Sequence, residues 1–271
     1  MIVAEDFGKI TQIRMGRDLD GQVLYWVAAY LVDDLLIDTG CHHTAKELLA
    51  YLKDKPVKQA YITHYHEDHI GGCALLQQQL NLKLLAQPLT IQLAGDAPAL
   101  YPYQELVWGY PETADIKPLP GNELKTANHT FQVLNTPGHS LDHSVLIEPD
   151  CGWCFSGDLF VSEKIKVLRP EEDIREIMRS MRKLLEPDTV AGSELTLYTS
   201  IGKIFPQGKK AIMACLDYLQ SIGLAAGRLQ CEENLTEEQI VDRLFGGESA
   251  MFALTGGQFA SKNLIKSLLN K

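Results

Sequence analysis

The chain has 271 residues, with 25 Lys+Arg against 35 Asp+Glu, a net charge of −10, 45% hydrophobic and 22% charged residues. These are globular proportions, which exclude a disordered, collagen-like or coiled-coil chain. The acidic balance argues against a broad nucleic-acid footprint, which needs a basic surface to displace counterions.

The first forty residues read as β-structure. Ile10 to Met15 and Val23 to Ile37 are rich in β-branched and aromatic residues, with a turn at Asp18 to Gly21 between them. The second run is expected to hold two strands that turn at Asp33-Asp34 and to end at Asp38-Thr39-Gly40. Thr44 then opens a helix, with Glu47 three residues on as a capping box. Gln59 to Thr63 is a short strand that stops at a cluster of histidines. A helix over 74–80 and a strand over Lys83 to Ala86 follow. From Gln87 to Pro120, prolines and aromatics (Tyr101, Tyr103, Trp108, Tyr110) show no clear period. This stretch is either an insertion lying over a substrate pocket or an ordinary packed loop region.

Phe131 to Asn135, Ser144 to Glu148 and Trp153 to Ser156 read as three further strands. Pro170 opens a helix whose apolar residues Ile174, Ile177, Met178, Met181, Leu184 and Leu185 recur at helical spacing. Thr189 to Ala191 is a last short strand. After Phe205 the chain reads as helical: Lys209 to Ser221, then Thr236 to Leu244 with a Thr236/Gln239 capping box, then Gln258 to Leu269. The change from mixed to all-helical places a boundary near residue 205. Residues 1–204 are expected to form the α/β unit and 205–271 a small C-terminal helical region.

No stretch reaches the roughly 18 apolar residues of a membrane span. The opening MIVAEDFGKI lacks a basic region ahead of an apolar core, so the expected location is cytoplasmic. The six cysteines are then expected to be free thiols, including the Cys151/Cys154 pair, whose redox-like spacing falls in a strand-turn-strand region rather than at a helix start.

Thr63-His64-Tyr65-His66-Glu67-Asp68-His69-Ile70-Gly71-Gly72 is the decisive segment. Three histidines and an aspartate fall within six residues, directly after an apolar strand. Neither strand nor helix brings positions 0, 2, 4 and 5 to one point, whereas a tight loop leaving a strand does. Neutral imidazole and carboxylate are ligands that zinc, iron and manganese accept. Thr136-Pro137-Gly138-His139-Ser140 and Ser156-Gly157-Asp158 each follow an expected strand, so His139 and Asp158 also stand at strand ends. Ligand sites gather at such ends in α/β folds. His42 and His43 read as surface or capping residues. His143 lies close enough to His139 to support it, and Tyr65 and Glu67 are expected to point away from the metal.

Together these residues resemble the metallo-β-lactamase superfamily: His-x-His-x-Asp-His, then a Gly-His turn, then a Gly-Asp at a strand end, over roughly residues 10 to 195. The resemblance implies a four-layer αβ/βα sandwich with the metal site along one edge. It implies that His64, His66 and His139 hold a first metal, that Asp68 and His69 hold a second, and that Asp158 bridges the two. Asp68 would also orient the attacking water and take its proton. Zinc is the implied ion, one or two per chain, with iron or manganese as alternatives. The family commonly has a further histidine near the last strand; here Ser193 stands at that place, with Glu194 beside it, which predicts a weak second site.

A metal at such a site lowers the pKa of bound water and polarises a carbonyl or phosphoryl oxygen. The implied activity is hydrolysis of a small-molecule ester, thioester, lactone or phosphodiester. The alternatives are a mononuclear-iron persulfide dioxygenase using His64, His139 and Asp158, a nuclease of the same fold, which the acidic balance disfavours, and a non-catalytic binding protein on the same scaffold. No Gly-x-Ser-x-Gly elbow is present to suggest a serine hydrolase.

Overall fold

Six consecutive residues, Val27–Val32, are buried, and their side chains alternate between two cores. Val27, Ala29 and Leu31 face one; Ala28, Tyr30 and Val32 face the other. A strand buried on both faces belongs inside a layered fold. The computed structural model, which describes residues 1–96, 99–189 and 194–269, has that architecture.

The first sheet contains β1 (Ile2–Phe7), β2 (Ile10–Met15), β5 (Val27–Val32), β6 (Leu35–Ile37), β7 (Gln59–Ile62), β8 (Lys83–Ala86) and β9 (Lys117–Pro118), in that spatial order. A separate hairpin, β3 (Asp18–Leu19) with β4 (Gln22–Val23), precedes β5. The second sheet contains β10 (Glu123–Lys125), β11 (Thr130–Asn135), β12 (Ser144–Glu148), β13 (Trp153–Gly157), β14 (Thr196–Thr199) and β15 (Ile204–Phe205). Both sheets are mixed: β6 to β9 run parallel, as do β13 and β14.

Tyr30, Ile37 and Tyr61 from the first sheet meet Phe131, Leu146, Phe155 and Tyr198 from the second in one central core. Outside the first sheet pack α1 (Ala45–Leu52) and α3 (Cys73–Leu80). Outside the second pack α6 (Ile174–Lys183), α7 (Gly208–Glu233) and α10 (Ser261–Leu269). The four-layer αβ/βα expectation is met. Residues Ala226, Ile240, Val241 and Ile265 form a smaller core among α7, α8 (Glu237–Phe245) and α10. Each fully buried Leu, Ile or Phe contributes roughly 1.5–3 kcal/mol, so Met181, Leu184, Ile212 and Leu219, all 0% exposed, bind the C-terminal helices firmly to the second sheet.

Several local expectations are corrected. Thr44 does not cap through Glu47: its hydroxyl donates to Cys41 O at 3.2 Å, and a short 3-10 turn, His42–Thr44, precedes α1. The helix expected at Pro170 begins at Ile174, because the Asp173 carboxylate accepts from Arg175 N at 2.9 Å and Glu176 N at 3.3 Å. The expected strand at 189–191 is a 3-10 turn up to Thr189, its remaining residues lie outside the described residues, and the strand is β14. The Thr236/Gln239 capping box forms as expected. The stretch 87–120 holds α4 (Pro88–Gly95) and α5 (Pro102–Val107).

At one end of the sandwich the two sheets are tied by a polar clamp. Asp33, in left-handed conformation (φ 53°) at the β5–β6 turn, accepts from Thr126 Oγ1 at 2.6 Å, Asn128 Nδ2 at 2.8 Å and His129 Nδ1 at 2.8 Å. Burial works to raise its carboxyl, but the three hydrogen bonds outweigh it and lower the pKa to about 2. A carboxyl depressed in the fold contributes stability above its unfolded pKa and loses it as the pH falls toward the folded value. Asp33→Asn should therefore cost about 1–2 kcal/mol at pH 7, measured by urea unfolding. The gap to the unmodified chain should close between about pH 4 and pH 2; a gap that is independent of pH would contradict the clamp.

Candidate metal centre

Four strands of the two sheets end at one place. β6 delivers Asp38, β7 delivers Thr63 and the histidine segment, β11 leads to His139, and β13 ends at Gly157, just before Asp158. The sheets are pinned there by Thr63 O, which accepts from Ser144 N and Ser144 Oγ, each at 3.0 Å. His64 lies in a bend just after β7 and His66 in extended chain, whereas Asp68 and His69 lie on a single helical turn, α2 (Glu67–Ile70), closed by His69 N donating to His66 O at 2.9 Å. That mixture brings positions 0, 2, 4 and 5 together. Close approach needs glycine: a Cβ on Gly157, at φ +49°, would lie 2.6 Å from His143 Nε2.

All six expected residues converge. His64 Nε2 lies 3.0 Å from His66 Nδ1, which lies 2.9 Å from His139 Nε2, which lies 3.1 Å from Asp158 Oδ2. The other Asp158 oxygen, Oδ1, lies 3.5 Å from His69 Nε2, and Asp68 Oδ2 lies 3.9 Å from the same nitrogen. The donors thus form two groups, His64/His66/His139/Asp158 and Asp68/His69/Asp158. Asp158 gives one oxygen to each. Ser193 lies outside the described residues; Glu194 is exposed.

The partners of the rings decide which nitrogens are bare. The Thr63 hydroxyl has one hydrogen, directed to the acceptor-only carboxylate of Asp38 at 2.9 Å. It therefore accepts from His64 Nδ1–H at 3.0 Å, leaving His64 Nε2 with its lone pair. His69 Nδ1–H donates to Asp38 Oδ2 at 2.8 Å, and His139 Nδ1–H donates to Glu172 Oε1. Each of these rings in its neutral form points a bare Nε2 into the site. His69 Nε2 and Asp68 Oδ1 are buried and have no hydrogen-bond partner among the described residues. Converging lone pairs and carboxylates repel one another unless a cation lies between them. Tetrahedral zinc with bonds near 2.05 Å sets its ligands about 3.3 Å apart, close to the spacing of the first group. The donor set fits a divalent metal ion.

Burial, reinforced by the neighbouring rings, holds His64 and His66 well below the usual imidazole range. Burial opposes protonation of His139, but Asp158 and Glu172 outweigh it and raise it to about 10. His69 is likewise raised against burial by Asp38, Asp68 and Asp158. Burial raises the Asp68 carboxyl. The carboxylates demand positive charge here, as protons on His69 and His139 or as a metal ion whose binding releases protons.

Residues matching 27–194, more than half of the chain, fit the family described as the metallo-beta-lactamase superfamily. The chain belongs to that superfamily. Among its curated relatives are a beta-lactamase-like protein 2 homolog of Drosophila melanogaster, 32% identical over 56% of this chain and 50% of that protein. Another is a hydroxyacylglutathione hydrolase of Vibrio cholerae, 31% identical over 52% of this chain and 54% of that enzyme. The chain thus matches about half the length of these relatives. Among solved structures, a beta-lactamase domain protein from Burkholderia ambifaria superposes with a TM-score of 0.75 at 18% identity, covering 98% of this chain and 87% of that one.

Residues around the two donor groups hold them in place. Asp38, noticed only as part of a turn, accepts three hydrogen bonds. Glu172 carries His139 and accepts from Arg169 N at 2.7 Å. His143 supports Asp158, accepting its N–H at Nε2 (3.0 Å) while Nδ1 faces Thr136 Oγ1 (2.8 Å). Glu67 is buried, belongs to neither donor group and accepts from Gln104 at 2.8 Å. His43 caps α5, with Nε2 2.9 Å from Glu105 O. All six cysteines are free, with Cys154 buried in the core and Cys151 exposed.

Carboxylates that orient metal-binding imidazoles typically carry 10–100-fold of metal affinity. Asp38→Asn and Glu172→Gln should each weaken zinc binding by about that factor, measured by calorimetric competition against a chelator. Unchanged affinity in both folded variants would contradict the assigned orienting roles.

Proposed function

We propose that the chain is a metal-dependent hydrolase of a small-molecule ester, thioester, lactone or phosphodiester. The reading is carried by one observation: three imidazole nitrogens and a carboxylate oxygen spaced 2.9–3.1 Å apart, two of the rings locked by Thr63 and Glu172 so that Nε2 is bare. Membership of the superfamily and the presence of a hydroxyacylglutathione hydrolase among the relatives support it. Residues 1–204 are assigned to the catalytic unit and 205–271 to a helical region that completes its surroundings.

In this reading His64, His66, His139 and Asp158 hold the first ion, and Asp68, His69 and Asp158 a weaker second. Zinc is favoured because imidazole and carboxylate donors at tetrahedral spacing suit it. When bound, the ion makes a water nucleophilic at neutral pH and polarises the substrate carbonyl or phosphoryl group. Asp68, its Oδ1 free of any partner among the described residues, accepts the proton of the attacking water and passes it to the leaving oxygen or sulfur. The water oxygen becomes bonded to the acyl carbon or phosphorus, the bond to the leaving atom breaks, and no oxidant is consumed.

A cavity of about 750 Å³ opens beside His66 and gives the substrate room. Its walls come largely from the stretch 87–120, through Ile91, Leu100, Tyr101, Tyr110 and Ile116, which supports the pocket reading of that stretch.

Zinc-loaded protein should hydrolyse activated esters or thioesters without oxygen uptake. Alanine at His64, His66 or His139 should lower zinc affinity by at least about 100-fold and abolish turnover. Oxygen consumption stoichiometric with persulfide turnover would move the chain to the dioxygenase class. Full zinc content in all three alanine variants would remove the assigned ligand set.

A further inference from the structure

Arg169 donates its main-chain N–H to Glu172, but its side chain takes no part in the roles above. It is 5% exposed, and its guanidinium lies between two rings, with Cζ 4.9 Å from the centroid of Phe259 and 5.8 Å from that of Trp108. Trp108 is edge-on to Tyr25 at 5.6 Å, and Tyr103 is edge-on to Phe259 at 6.3 Å. The backbone is equally fixed. Leu168 and Ala260 exchange two hydrogen bonds, at 3.1 and 3.0 Å, and Arg169 N donates to Glu172. Four stretches distant in sequence therefore hold one cation beside the metal donors.

That cation is underused by the protein. A guanidinium carries five N–H donors and keeps its charge at any ordinary pH. Among the described residues it makes no hydrogen bond; Nε is buried without a partner, and the carboxylate in ion-pair range, Glu171, is 3.9 Å away and half exposed. The neighbouring buried carboxyls of Glu67, Asp68 and Glu172 offset the charge of the guanidinium without hydrogen-bonding it, so its buried Nε–H is left without a partner, which aromatic stacking does not repair. Arg169 lines the same cavity as His66, and Ile91, Leu100 and Ile116 line it with them.

We propose that Arg169 is the receptor for an anionic group, carboxylate or phosphate, on a substrate whose apolar body lies in the cavity. The substrate part of the proposal rests on the hydrolase reading; the binding part does not. The other charged groups on the wall limit the ligand to one anionic end. Glu67, Glu112, Asp115 and Glu171 are all acidic, Glu112 and Asp115 lie at the exposed rim, and Asp115 is paired with Lys117 at 2.7 Å. Polyanions are repelled by that rim, whereas a single anion that reaches the guanidinium meets N–H donors that make no hydrogen bond among the described residues.

The test uses the zinc-loaded full chain and three probes of equal chain length: hexanoate, hexyl phosphate and neutral 1-hexanol. Binding is followed by tryptophan fluorescence, which Trp108 reports. At least one anion should bind at least about 10-fold more tightly than hexanol, the order expected for charge-assisted hydrogen bonds. Tighter hexanoate assigns a carboxylate, tighter hexyl phosphate a phosphate, and either supports the proposal. Arg169→Met, which leaves every zinc donor in place, should erase the preference, and Arg169→Lys should retain part of it. Equal binding of all three probes to the unmodified chain, a result that needs no variant, would overturn the proposal. So would an anion preference that survives in folded Arg169→Met protein. Charge-selective binding without hydrolysis of any ester would leave this inference standing and remove the hydrolase reading; hydrolysis with probe binding indifferent to charge would do the reverse.

Discussion

The carboxylate of Asp38 accepts from Thr63 N, Thr63 Oγ1 and His69 Nδ1, all from 2.8 to 2.9 Å, and the geometry of the candidate metal centre depends on those bonds. They commit the only hydrogen of the Thr63 hydroxyl, which obliges His64 to donate from Nδ1, and they fix His69 in the same sense. One buried carboxylate thus sets the bare nitrogen of two imidazoles. Asp38 adopts φ +60° to reach this position, a conformation that costs an ordinary residue roughly 1 kcal/mol. Charge-assisted hydrogen bonds of this kind are stronger than neutral ones and offset that strain.

The sandwich makes the convergence possible. His66 and His139 are 73 residues apart, and their nitrogens meet because β7 and β11 lie in different sheets that end side by side. The shared core of Tyr61, Phe131, Leu146 and Phe155 stacks the sheets, while Ser144 on Thr63 O sets their offset at the site. Packing therefore determines the gap between ring nitrogens, and the side-chain partners determine their protonation.

Much of this was legible in the sequence because it rests on strong local patterns. Runs rich in apolar, β-branched and aromatic residues mark β2, β5 and β12, and the histidine segment has no plausible alternative use. The exposed edge strand β1, with five of six residues open to solvent, carries too little apolar pattern to be marked separately. Helices α4 and α5 escaped because they line a cavity, which dilutes the apolar period that betrays a packed helix. Glu172 and Asp173 look alike in sequence, two acids in the first turn of the helix expected from Pro170. Only the fold shows that Asp173 caps α6 and Glu172 reaches His139. Arg169 gave no signal at all, since its surroundings come from residues 25 to 259.

Glu172 divides its two carboxylate oxygens between different masters. Oε1 takes the proton-bearing nitrogen of His139, and Oε2 takes the main-chain N–H of Arg169. The side chain is buried, so it has no slack with which to satisfy one without the other. Any shift of the backbone at 168–169, itself laced to Ala260 in the C-terminal region, turns the ring of His139 and alters its basicity. The strand-like bridge to Ala260, just ahead of α10, thus shares one carboxylate with the donor set: the group that orients His139 also fastens the backbone on which the C-terminal region is hung.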